Sequence, residues 1–339
     1  MAHLRRLIFI LAAVIAAMAA PVQAAGNSKV LRVFDADSLH GYVSDLATVF
    51  GATHPGIEIR PEGSGSLDAI RKVSDLHRRC DVLIAADWRL LTAPHRGLGG
   101  WAILFAGNSM GLLYTVNSKD AAAIDANNWY RVLLRPGVRY GHSNPARDPA
   151  GYWTLILWQL AGKYYHRPGL AARLAAQCPR ANIRPHNIDL ISLLESGDLD
   201  YYFGYSSDAR LGPLKFLALP PEMNLGDLAL RKDYSMASVE VGTGAERRKI
   251  TGAPIAYGVT IPDDAPNRSG AIEFIKLMVS LGGRKLAAKN GLIQRRVALG
   301  DDPANRMPAE LRALVIPISG NQPPASRAGA ASPITRGAP

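Results

Sequence analysis

A chain of 339 residues with 48% hydrophobic and 20% charged side chains is long enough for two separate cores and too apolar to stay an unfolded, solvated polymer. Its formal charge of +11 raises the question of nucleic acid. Arg5 and Arg6 sit in the leader and Arg327 and Arg336 in the tail, so the body carries 11 less 2 less 2, or +7, scattered with no Lys/Arg stripe interleaved with aromatics. That excludes a nucleic-acid partner and fits either a solvated basic surface or a protein whose small ligand is an anion.

In chain order, "MAHLRRLIFILAAVIAAMAAPVQAAG" has a basic start, a short apolar stretch and a small-x-small exit at Val22-Gln23-Ala24, which reads as a cleaved secretory leader. With no Cys near the exit, no lipid anchor is indicated, and the mature chain is expected in the periplasm. "VLRVF" reads as a strand, followed by a helix carrying Leu39, Tyr42, Val43, Leu46 and Phe50. "GIEIR" is a second strand, a helix with Leu67, Ile70, Val73 and Leu76 follows, then the strand "DVLIAAD". "MGLLYTV" opens a second series: a helix around "NNWYRVLL", the strand "VRYG", a long helix after Pro149, the helix "LISLLES" and the strand "DYYFGY". "APIAYGVTI" reads as a return strand, and "GAIEFIKLMVSLGGRKLAAKNG" as a helix pair packed on the first unit.

This alternation predicts an α/β fold with largely parallel sheets in two lobes joined by two crossings. The expected division is 1–24 leader, 28–105 and 262–317 a discontinuous first lobe, 106–261 the second lobe, and 318–339 a Pro/Gly/Ala/Ser-rich disordered tail. Cys80 and Cys178 fall in different lobes about a hundred residues apart, which favours two buried free thiols. With no His at ligand spacing they make no site for a free metal cation, and no cofactor is called for.

Four places share one construction, a strand end, a short polar turn and a helix start: "DADSL" with Ser38, "EGSGSLDAI" with Ser66, "NPARDPAG" with Asp148, Pro149 and Ala150, and "HNIDLISLL" with Asp189. A helix N-terminus presents unpaired N–H groups and a partial positive charge, so several aimed at one cleft bind an oxyanion without lysine or arginine. The same residue types also serve as ordinary caps and first-turn residues. Tyr205, at the end of "DYYFGY", adds a hydroxyl donor or is a half-buried strand-end tyrosine. A catalytic reading has less behind it. "GSGSL" is neither a nucleophile elbow nor a phosphate loop, and His142, Ser143 and Asp148, the residues a hydrolase of small anionic esters would use, are adjacent in sequence, which is not triad geometry.

Taken together, "DADSL", "EGSGSLDAIRKVSDL", "CDVLIAADW", "NPARDPAGYWTLILWQLAGKYY", "RPHNIDLISLLESGDLDYYFGYSSDA" and "TGAPIAYGVTIPDDAPNRSGAIEFIKLMVS" resemble the tungstate/molybdate-binding proteins of ABC importers, especially their archaeal-type branch, over about residues 29–317. The resemblance implies a two-lobed periplasmic-binding-protein fold of type II with the ligand in the interlobe cleft. It implies a monomer that performs no chemistry and hands its oxyanion to a membrane permease and ATPase. It also implies hydroxyl and N–H donors at Ser38 and Ser66, an N–H at Ala150, the Tyr205 hydroxyl and a donor near Asp189. In that branch an aspartate matching Asp148 is similar to a ligand of the oxyanion metal, with a second carboxylate from a glutamate in "D-Y-x-F-E-Y". Here Gly204 stands at the glutamate's place, and "DPAG" with "YSSDA" also resembles the bacterial branch that keeps the anion tetrahedral. Sulfate or phosphate is the alternative cargo of the same fold. Asp37, beside a serine expected to hold the anion, is expected to point away from it.

Overall fold

The computed structural model describes residues 29–93, 97–244 and 247–317; the leader and tail readings lie outside them. Among the described residues, fourteen strands form two main sheets and one hairpin. The first sheet has seven strands in the order β14-β13-β4-β12-β3-β1-β2: β1 (Val30–Ala36), β2 (Glu58–Ser64), β3 (Val82–Ala85), β4 (Ala102–Gly107), β12 (Ala256–Thr260), β13 (Ile293–Asp301) and β14 (Ile316–Pro317). The second has five in the order β7-β6-β8-β5-β9: β5 (Met110–Tyr114), β6 (Tyr140–Ser143), β7 (Ile183–Arg184), β8 (Tyr201–Tyr205) and β9 (Lys215–Ala218). Strands β10 (Ser238–Val241) and β11 (Arg248–Thr251) pair antiparallel.

Seven helices of eight or more residues cover these sheets: α1 (His40–Thr53), α2 (Ser66–Ser74), α3 (Pro149–Tyr164), α4 (Leu170–Gln177), α5 (Asn187–Glu195), α6 (Arg268–Val279) and α7 (Leu281–Lys289). The apolar periodicity explains where they lie. Tyr42, Val43, Leu46 and Phe50 are the buried stripe of α1, and "VLIA" of β3 is buried at every position, as a central strand must be. Leu76, counted with that stripe of α2, lies beyond the helix end at Ser74 and is 68% exposed. Helix α3 buries Trp153 and Trp158, and Trp158 sets its ring edge-on to Phe203 of β8 at 5.3 Å, a geometry that adds to area burial.

Two expectations change. The sheets are mixed rather than largely parallel: β1 runs parallel to β2 and β3, and β6 to β7 and β8, but β12 and β5 are antiparallel to their neighbours. The cause is the crossings, because a strand that arrives from the other lobe enters the sheet from the opposite end. For the same reason Ala256–Thr260, counted above with the second lobe, pairs with β3 and β4 in the first sheet, and β4 continues to Gly107. Cys80 and Cys178 are buried free thiols.

Candidate oxyanion site

The parallel strands place their C-terminal ends along one edge of each sheet, and the turns that follow carry the polar residues singled out above. A short 3-10 turn, Asp37–Leu39, follows β1; α2 begins two residues after β2; α3 follows the loop after β6; α5 follows β7; and a second 3-10 turn, Ser206–Arg210, follows β8. The two edges meet. The Gly65 N–H donates to His186 Nδ1 at 2.9 Å and the Leu67 N–H to the Arg147 carbonyl at 3.2 Å.

Besides Ser143 at the end of β6, whose buried Oγ has no hydrogen-bond partner, three hydroxyl protons in this cleft have no protein acceptor. Ser66 is 1% exposed and its Oγ accepts the Ala86 N–H at 2.9 Å, leaving its own proton to donate. Tyr205 is fully buried and its Oη has no partner; its ring centroid lies 6.0 Å from that of Tyr257. Ser38 Oγ and Tyr257 Oη lie 3.0 Å apart, and Tyr257 Oη also accepts from Asn108 Nδ2 at 2.9 Å. Whichever hydroxyl of that pair donates to the other, one proton is left over. Asn108, on the crossing between β4 and β5, is itself satisfied: its amide reaches Ser207 Oγ at 2.8 Å and its carbonyl oxygen accepts from Ser206 Oγ at 2.7 Å. It ties the crossing strand, the turn after β8 and the return strand into one frame.

The carboxylates of the site do other work. Asp148 is the N-cap of α3, with Oδ1 accepting from the Ala150 N–H at 3.0 Å, while Oδ2 accepts from Asn187 N–H at the head of α5 at 3.1 Å. The Ala150 N–H, expected to donate to the anion, is therefore held by Asp148. Burial pushes the Asp148 carboxyl up to about 6, and the two backbone N–H bonds hold it from going higher. Asp189 caps its own helix, accepting from the His186 N–H at 3.1 Å. Asp208, which the sequence reading passed over, accepts from Tyr205 N–H at 3.0 Å and from Asn187 Nδ2; its other oxygen is buried without a partner, and burial pushes the group up to about 7.

Asp37 does not point away. Its Oδ2 is buried and unpartnered, 3.7 Å from His186 Nδ1 of the other lobe, and its carboxyl is pushed up to about 8, first by burial and then by the charges of Asp148, Asp35 and Asp189. The turn is too short to swing it out: residues 37–39 close one 3-10 turn between the strand and α1.

Gly204 faces no open space. A Cβ there would stand 2.7 Å from Asp208 Oδ2, 2.9 Å from Leu113 Cδ1 and closer still to the Tyr202 ring, so those side chains fill the place a glutamate would need. His142 is engaged elsewhere: Nδ1 bonds the Ser143 carbonyl at 2.7 Å, the ring stands edge-on to Trp158 at 5.3 Å, and burial pushes it down to about 4. With His142 Nδ1 on the Ser143 carbonyl, no His142–Asp148 hydrogen bond is found among the described residues. Among the described residues no group of three or more His, Cys, Asp or Glu is placed to hold a metal ion, and no helix is long and apolar enough to cross a membrane.

Asn108, Tyr257, His186 and Asp208 were legible only in part. Ser206-Ser207-Asp208 follows Tyr205 directly and repeats the strand, polar turn, helix construction, whereas nothing local marks Asn108 or Tyr257, which matter through contacts spanning 149 residues.

The family model for bacterial extracellular solute-binding proteins matches residues 31–293. An uncharacterized solute-binding protein of Petrotoga mobilis is 42% identical over 265 residues, 76% of this chain and 82% of its own length. The molybdate/tungstate-binding protein WtpA of Thermococcus kodakarensis is 34% identical over 316 residues, 84% of this chain and 87% of its own. Among solved structures, the periplasmic molybdate-binding protein of Azotobacter vinelandii superposes with a TM-score of 0.56 at 17% identity, covering 78% of this chain and 99% of that one. The sulfate-binding protein SubI of Mycobacterium tuberculosis gives 0.55 at 15%, covering 85% and 92%. At those identities the likeness speaks for the two-lobed fold alone.

Proposed function

Since the chain belongs to the bacterial extracellular solute-binding protein family, we propose that it is the exported, monomeric capture component of an ABC importer, and that its cargo is molybdate or tungstate. The leader read at residues 1–24 sends it to the periplasm, where it passes its oxyanion to a membrane permease driven by an ATPase, and it catalyses nothing and needs no cofactor. The observation that carries the cargo reading is the set of three hydroxyl protons without acceptors, at buried Ser66 and Tyr205 and at the Ser38–Tyr257 pair. A fully ionised oxyanion is all acceptor, and it matches a site that offers donors. The WtpA relative of Thermococcus kodakarensis, at 34% identity, supports the choice of metal oxyanion over sulfate.

The anion is held tetrahedral, by hydrogen bonds alone. Gly204 supplies no carboxylate and each Asp148 oxygen already accepts a backbone N–H, so this chain lacks the second carboxylate that would expand the metal's coordination. Charge is balanced without a cationic side chain. Lys72 is taken by Glu62 and the Ser64 hydroxyl, Arg147 by Asp68, and the raised Asp37, Asp148 and Asp208 carboxyls carry less negative charge than three ordinary aspartates.

Calorimetric titration of the mature chain with molybdate, tungstate, sulfate and phosphate in one buffer tests this reading. Expected is tight binding of the first two with thermal stabilisation to match, about 2.7 kcal/mol at a hundredfold excess over Kd. Binding of sulfate or phosphate in preference would keep the transport role and overturn the cargo.

A further inference from the structure

The head of α2, which carries Ser66, is fastened to the opposite lobe by side chains that do not belong to the anion's donor set. Gly65 N–H donates to His186 Nδ1, and Leu67 N–H to the Arg147 carbonyl. The Arg147 guanidinium grips Asp68 Oδ2 through Nε at 2.8 Å and Nη2 at 2.6 Å, and His186 Nε2 lies 3.4 Å from the same oxygen. Because Nδ1 accepts an amide proton, the neutral ring carries its own proton on Nε2, toward Asp68; burial, the largest influence on it, pushes the imidazole down and so favours that neutral form. One tautomer therefore serves both contacts.

A second observation is independent of these bonds. Gly65 has φ −56° and ψ 140°, a conformation open to any residue, yet a Cβ there would stand 2.6 Å from the Arg147 carbonyl oxygen and 3.1 Å from His186 Nδ1. The glycine answers to the approach of the other lobe and not to its own backbone. The contacts also withdraw the Gly65 and Leu67 N–H groups from the anion, which a helix head built only for an anion would not do.

We propose that Asp68, Arg147 and His186 form a polar clasp that holds the cleft shut over Ser66 and sets how long the bound oxyanion stays. They are positioning residues, touching one another across the cleft. The Arg147 side chain is 41% exposed against 13% for Asp68, so the clasp lies at the rim, where water reaches it when the lobes part. This inference rests on the oxyanion-capture reading for its ligand but not for its geometry, and the test separates the two.

Molybdate dissociation is followed by stopped-flow tryptophan fluorescence in the wild type, Arg147→Ala and Gly65→Ala. The clasp requires dissociation to rise by roughly five- to tenfold in both variants, with association changed far less and the melting temperature of the ligand-free chain held. Asp68→Ala, which also removes the His186 contact, should dissociate at least as fast as Arg147→Ala, and the double variant Arg147→Ala/Asp68→Ala should fall short of the product of the two single effects, because the two side chains share one interaction. Dissociation within about twofold of wild type in both single variants would overturn the clasp. If the wild type binds no molybdate, the cargo reading fails, and the clasp is then decided without ligand. Spin labels on Leu281→Cys and Met236→Cys, exposed sites on the two lobes in a chain whose own cysteines are buried, report the interlobe distance. The clasp requires a larger open fraction in Arg147→Ala and Gly65→Ala than in the parent, and equal distributions would overturn it.

Discussion

Asp37→Asn isolates the most perturbed carboxyl of the cleft. In the folded chain Asp37 is pushed up to about 8 from an ordinary 3.8, by burial first and then by Asp148, Asp35 and Asp189, with Lys72 opposing and His186 3.7 Å away. A folded-state pKa above the unfolded one means the folded chain binds the extra proton, so stability is full below about pH 4 and is lost as pH rises toward 8. Where the unfolded group is ionised and the folded one is not, the slope approaches about 1.4 kcal/mol per pH unit. Allowing for the partly exposed side chain, the wild type should lose about 2 kcal/mol between pH 5 and pH 7 that the asparagine variant, isosteric and uncharged, keeps. Urea unfolding of both chains at pH 5 and 7 measures the difference. Binding adds a consequence with the same sign: a dianion arriving beside Asp37 favours its neutral form, so capture takes up a proton near pH 8, visible as a buffer-dependent enthalpy that Asp37→Asn abolishes. A stability gap between the two chains that is the same at pH 5 and pH 7 would refute the placement of this carboxyl in the cleft.

Tyr205→Phe removes a buried hydroxyl that bonds nothing in the protein, so the ligand-free chain should melt no lower than wild type, while molybdate affinity falls by about tenfold or more. An unchanged affinity would take Tyr205 out of the site. Gly204→Glu should not create a six-coordinate centre: the side chain meets Tyr202, Leu113 and Asp208, so the melt should show a loss of more than about 2 kcal/mol, and X-ray absorption of any molybdate-bound variant should keep the tetrahedral signature.

The periodicities of "YVSDLATVF" and "YWTLILWQLAG" placed α1 and α3 correctly because a helix stripe is a local property of the chain. The antiparallel entry of β12 and the nine-residue β13 are set by where the chain returns from the other lobe, and no window of residues contains that information. The site divides in the same way. Ser38, Ser66 and Tyr205 could be read from strand, turn and helix punctuation, since each sits at its own strand end. Whether a residue in such a turn holds the ligand or the helix could not, because Asp148, Ala150 and Asp189 have the same local signature and differ only in what lies opposite. The presence of Asn187 beside Asp148, one residue past His186, is what turns the Asp148 carboxylate into a strut between two helix heads.

That strut explains why acidic residues can crowd a site for an anion. An aspartate that is free beside a dianion repels it, and the cost grows as water is expelled. Asp148 instead spreads its charge over the N–H groups at the heads of α3 and α5, Asp208 does the same over Tyr205 N–H and the Asn187 amide, and Asp37 is held toward its neutral form by burial first and then by the charges of Asp148, Asp35 and Asp189. Helix heads that elsewhere face an anion directly here fix carboxylates in place. On the proposed reading, the hydroxyls of Ser66, Tyr205 and the Ser38–Tyr257 pair are left as the donors that would meet the ligand. Recognition on that reading would depend on the distances between rigid neutral donors, which a frame anchored at Asn108 keeps constant, and a fixed spacing of neutral donors would sort oxyanions of equal charge by size.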